Sequence, residues 1–98
     1  MIDLNENHLN IVKVILQQFI PDTPVWVFGS RIKGTAKTYS DLDLVIVGHQ
    51  QIPQKCYYAI QDALEESELP FRVDLLDWHR ISPSFRQLIQ QQYVVFQL

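Results

Sequence analysis

The stretch SDLDLVIV, residues 40–47, alternates carboxylate and leucine before turning wholly apolar. On a strand, residues two apart share a face, so Asp41 and Asp43 project together while Leu42, Leu44 and Ile46 go to the other side. A chain with this pattern needs a sheet that buries one face and leaves the carboxylates on an accessible one. A rise of about 3.3 Å per residue puts the two Cα atoms roughly 6.6 Å apart. Carboxylates at that spacing can converge on a divalent cation, or on two metals about 3.5 to 4 Å apart that clamp a phosphoryl transfer. Mg²⁺ is the natural candidate.

Upstream, VWVF (Val25 to Phe28) reads as a short buried strand ended by Gly29. Ser30 to Lys33 then suit a single helical turn stopped by Gly34. A sharp glycine turn opening a helix aims backbone N–H groups and a positive dipole end at any anion, which makes Gly29-Ser30 a phosphate seat. Ten residues separate Ser30 from Asp41. That interval allows one helical turn and a return loop, bringing the seat and the carboxylates to neighbouring strand ends.

The remaining pattern predicts an α-β-(short α)-β-α-β-α-β order. Leu9, Val12, Leu16 and Phe19 recur at helical spacing from an Asn5 cap to Pro21. A second amphipathic helix is expected over about 54–68. LPFRVDLLDW turns at Pro70 into a third strand, ISPSFRQLIQQQ is a helix capped by Ser82 with Pro83 at its first position, and YVVF closes the sheet. The fold class expected is α/β (α+β): one small domain over residues 1–98, a mixed sheet of about four strands with helices packed on it.

Ninety-eight residues at a formal charge of −3 do not make a general nucleic-acid binder, which needs a basic surplus. Direct nucleic-acid binding is not expected, and any phosphate site must be local. The lone Cys56 excludes an internal disulfide and a cysteine-cluster zinc site. The N-terminus carries acids where a signal peptide needs cations, and no apolar run approaches the ~18 residues of a membrane span. A cytoplasmic protein without a membrane association is expected.

Two rival motifs fail. GSRIKGTA places Thr35 where a P-loop needs its lysine, and DLDLVIVGHQQI has Ile46 and Ile52 where a calcium loop needs glycine and glutamate. What fits is Gly29-Ser30, ten residues, then Asp41-Leu42-Asp43. This resembles the DNA polymerase β-like nucleotidyltransferase superfamily, and more narrowly its minimal nucleotidyltransferases (MNT proteins). The resemblance runs from VWVFGSR through SDLDLVIV to FRVDLLDW. It implies a third carboxylate on a later strand, the place of Asp74.

By that resemblance Asp41, Asp43 and Asp74 are the catalytic carboxylates and Mg²⁺ ligands, Asp74 also favouring deprotonation of the acceptor hydroxyl. Gly29, Ser30, Arg31 and Lys33 bind the triphosphate of ATP. Larger relatives carry a helical domain for base or acceptor that a chain of this length does not accommodate. The resemblance supplies a substitute: a helical HEPN-type partner, an RNase toxin that the MNT antitoxin inactivates by moving AMP to a tyrosine. A subunit that neutralises by binding alone and a small-molecule nucleotidyltransferase are the alternatives.

Other conspicuous residues carry blander expectations. Asp77 is expected to be an exposed turn acid, and Lys37 simply solvated. Tyr39, Tyr57, Tyr58 and Trp78 suit packing or interfaces. His8, His49 and His79 show no ligand spacing. The apolar fraction of 47% predicts a leftover apolar patch on the first helix or over 78–85.

Overall fold

The computed structural model describes residues 1–98. Its elements are α1 (Glu6–Phe19), β1 (Val25–Phe28), α2 (Ser30–Lys33), β2 (Leu42–Ile46), α3 (Gln54–Glu66), β3 (Val73–Asp77), a 3-10 turn (Trp78–Arg80), α4 (Pro83–Gln91) and β4 (Val94–Phe96). The expected order holds, with the 3-10 turn added. Local chemistry sets the boundaries: Asn5 Oδ1 accepts from the His8 amide at 2.7 Å, and Ser82 Oγ accepts from that of Phe85 at 3.2 Å. Each satisfies a helix donor that has no partner within its own helix.

The sheet runs β3-β2-β1-β4. β1 is antiparallel to both β2 and β4, and β2 is parallel to β3. The parallel pair is joined through α3, the usual consequence of parallel pairing. Val25, Val27, Leu42, Leu44, Leu75 and Phe96 form one core with Val12 and Leu16 of α1 and Ile60 and Leu64 of α3. Cys56 packs against this core, half-buried.

Along the opposite face lie Trp26, Phe28, Asp43 and Asp74. Trp26 stacks on Tyr93 at 3.9 Å between ring centres and meets Trp78 edge-on at 5.3 Å, while Phe28 meets Phe85 of α4. Residues 78–85 are thus partly spent on covering this face. Exposed large apolar side chains fall instead on Val14 of α1, Leu88, Tyr93 and Val95, and on Tyr39 and Tyr58. No helix is long and apolar enough to cross a membrane.

Asp77 corrects its expectation. It is 3% exposed and caps the chain around it, its carboxylate accepting from the amides of Ile52 at 2.9 Å and His79 at 3.0 Å. Arg80 lies 3.6 Å away. Period-2 alternation from Val73 and Leu75 puts Asp77 on the core side, and that signal was in the sequence. His79 Nε2 is 2.7 Å from the Gly48 carbonyl oxygen, and His8 packs edge-on against Phe71.

Candidate active site

Register places the acids. Asp43 pairs across β1–β2 with Phe28 and across β2–β3 with Asp74, so both carboxylates start from adjacent positions on one face. Gly29 follows Phe28 directly, which puts the turn against the same spot. Asp41 lies just outside β2 and is exposed, its Oδ2 3.7 Å from Arg72 Nε. Arg72 was not singled out by sequence reasoning. Its position, one residue before the Val73 that pairs with Leu42, is legible only once the register is known.

Crowding of carboxylates has an electrostatic consequence. Burial, then the negative charges of Asp74 and Asp41, push the Asp43 carboxyl from 3.8 up to about 6, while Arg72 and Lys33 pull the other way. Acids forced together against their mutual repulsion form a hard-oxygen donor set of the kind Mg²⁺ takes. As the side chains stand, no three carboxylate, imidazole or thiol groups converge closely enough to hold an ion.

Gly29 has φ 81° and ψ −157°, and an added Cβ would run into the Asp43 carboxylate. The turn is therefore glycine for two reasons, backbone conformation and close approach to the acid. Ser30 opens α2, half-buried, and Lys33 is exposed at its end. A groove of about 440 Å³ adjoins this turn, lined by Phe28, Gly29, Lys33, Phe85, Leu88 and Gln92 among others.

Arg31 corrects the reading that gave it to the triphosphate. It is 5% exposed, and its guanidinium donates to the carbonyl oxygens of Ser40 (2.8 and 3.1 Å), Asp3 (2.9 Å), Thr38 (3.2 Å) and Lys37 (3.4 Å). It also lies 4.3 Å above the Phe71 ring centre. All three nitrogens are engaged, so the cation is a strut that fixes the turn before Asp41. Arg31→Ala should lower stability by about 2–3 kcal/mol, because a buried charged donor to four backbone carbonyls, and its packing on Phe71, are lost together. A denaturant midpoint unchanged from wild type would refute the strut.

Residues 10–97 match the polymerase beta nucleotidyltransferase domain. The chain belongs to that family. This nucleotidyltransferase is also 50% identical over 96 residues, 98% of itself and 84% of the relative, to a probable protein adenylyltransferase, MntA, of Haemophilus influenzae. Among solved structures it resembles a toxin–antitoxin pair with AMP-PNP (TM-score 0.75, 24% identity, 91% of this chain and 72% of that one). It also resembles a tri-AMPylated Shewanella oneidensis HEPN toxin in complex with an MNT antitoxin (TM-score 0.70, 21% identity, 96% and 72%). At such identities the two structures establish the common fold.

Proposed function

We propose that this nucleotidyltransferase moves AMP from ATP to a hydroxyl, a tyrosine, of a HEPN-type partner toxin, with Mg²⁺, and so acts as an antitoxin in the cytoplasm. The observation that carries the reading is the side-by-side pair Asp43 and Asp74, with the Asp43 carboxylate against Gly29 at the start of α2. It is supported by the 50% identical relative, named a probable protein adenylyltransferase, and by the toxin–antitoxin structures that share the fold.

In this reading Asp41, Asp43 and Asp74 hold Mg²⁺, which supplies charge neutralisation at the phosphates. Gly29 lets the backbone approach the triphosphate without a side chain in the way. The Ser30 amide and hydroxyl donate to phosphate oxygens, and Lys33 adds positive charge beside the same turn. Asp74 accepts the proton of the acceptor hydroxyl as its oxygen attacks the α-phosphorus and pyrophosphate departs. Holding those atoms in line is most of the work, and no covalent enzyme intermediate is needed.

The test mixes the chain with a candidate HEPN-type partner protein, ATP and Mg²⁺, and reads intact mass. AMP additions on that protein are expected; modification confined to sugars, antibiotics or nucleosides would reject the antitoxin reading. Ser30→Ala should weaken AMP-PNP binding by about 1–2 kcal/mol, the scale of one hydrogen bond to a charged group, with stability little changed. Equal calorimetric affinities would remove the hydroxyl from the site.

A further inference from the structure

The sheet has two outer strands, β3 and β4, and their free edges are finished differently. The Arg72 carbonyl accepts from the Leu42 amide on the β2 side, so the carbonyls of Val73 and Leu75 alternate, with Leu75 pointing to the open edge. There the Tyr57 hydroxyl donates to the Leu75 carbonyl at 2.6 Å, and Arg72 and Asp74 put charge on the strand. Covering groups and charges of this kind keep an edge from taking up a further strand. β4 has neither. Residues 87–98 contain no charged side chain, proline or glycine, and Val95 at the middle of the strand is 45% exposed.

An open groove of about 380 Å³ runs between this edge and α1, lined by Leu9, Val95 and Phe96, with Glu6, Asn10 and Lys13 along its helical wall. Glu6 and Lys13 are its only charged residues. Both are exposed, and the two ion pairs within the chain, Arg72 with Asp41 and Arg80 with Asp77, use neither. They lie two helical turns apart, about 10 Å along α1, with Leu9 and Asn10 midway between them. That order decides what fits. A two-fold axis through Val95 at the level of Leu9 and Asn10 reverses the direction of α1, so Glu6 of each copy faces Lys13 of the other. The same rotation runs β4 antiparallel to its copy, as an isologous contact between identical edges requires. One axis serves both contacts because Val95 and Leu9 line the same groove. A partner surface of one sign would be attracted at one end of the groove and repelled at the other.

We propose that the β4 edge and the α1 stripe of Glu6, Leu9, Asn10 and Lys13 pair with a second copy of this chain, giving a two-fold dimer with one sheet running through both copies. A three-residue strand and two helical turns make a small contact, of the transient class below about 1,200 Å². The dimer is therefore reversible. The faces bearing Asp43 and Asp74 stay open on the same side of the joined sheet, their β2 strands five spacings of about 4.8 Å apart.

Sedimentation equilibrium of the chain alone, in a series reaching the millimolar range, should show monomer in exchange with dimer. Val95→Lys should leave only monomer, an edge lysine being an ordinary block to strand addition, with AMP-PNP affinity and the melting temperature of the dilute protein unchanged. Lys13→Glu should raise the dissociation constant about tenfold, as two rim attractions become two repulsions. Glu6→Lys should do the same, and the two single variants mixed together should dimerise with each other as well as wild type does. That rescue separates the two-fold contact from a loss of fold. A wild-type monomer at every concentration overturns the proposal, and binding of a candidate HEPN-type protein that is lost in Val95→Lys would then give the edge to that partner. A dimer indifferent to all three changes overturns it too, because the contact then lies elsewhere.

Discussion

Asp43→Asn is expected to reduce adenylyl transfer by at least about a hundredfold, as when one preorganised electrostatic group is removed from a transition state, while making the protein more stable at neutral pH. The two effects share a cause. Asp43 is held in the fold against burial and the charges of Asp74 and Asp41, which raise its carboxyl to about 6. A carboxyl whose folded pKa lies above its ordinary 3.8 favours folding when protonated. That stabilisation is complete below pH 3.8 and is lost as pH rises through about 6. Asparagine keeps the shape and has no charge to lose. With a discount for solvent screening of a half-exposed group, the variant should gain about 1–2 kcal/mol at pH 7. Melting curves in EDTA between pH 5 and 7.5 should show wild type falling relative to Asp43→Asn; parallel curves, or a variant with wild-type transfer, would defeat this account.

Gly29→Val should cost fold and function together, by about 4 kcal/mol of stability and with no measurable nucleotide binding. A β-branched residue at φ 81° and ψ −157° occupies backbone space that is essentially glycine's, at about 1–3 kcal/mol. The Cβ then collides with the Asp43 carboxylate. These two contributions can be separated. Gly29→Ala combined with Asp43→Ala should be less destabilising than the sum of the single changes, since the second removes the obstacle met by the first. Additive losses would show that the backbone conformation alone makes the position glycine.

Much of this arrangement could be read from local chemistry. Ser82-Pro83 marks a helix start whatever surrounds it, and the alternation in SDLDLVIV puts Leu42 and Leu44 in the core and Asp43 opposite. Arg31 was misread because adjacency to Ser30 says nothing about reach. Its partners lie on a loop without periodicity and on Asp3, 28 residues earlier. The strand order β3-β2-β1-β4 was equally out of view, and with it the fact that Arg72 falls beside Asp41. Residues positioned by their own element were legible, whereas those positioned by what they grasp across the fold were not.

The same guanidinium also decides how this molecule comes apart. Asp3 N–H donates to the Arg31 carbonyl at 2.6 Å, while Arg31 Nη1 donates back to the Asp3 carbonyl. Chain termini ordinarily fray at almost no free-energy cost. Here the third residue cannot lift away without freeing one arm of the guanidinium whose other nitrogens secure Lys37, Thr38 and Ser40. The N-terminal segment and the turn before Asp41 are therefore expected to open together, and hydrogen exchange at the Asp3 amide should report on the integrity of a turn nearly forty residues downstream.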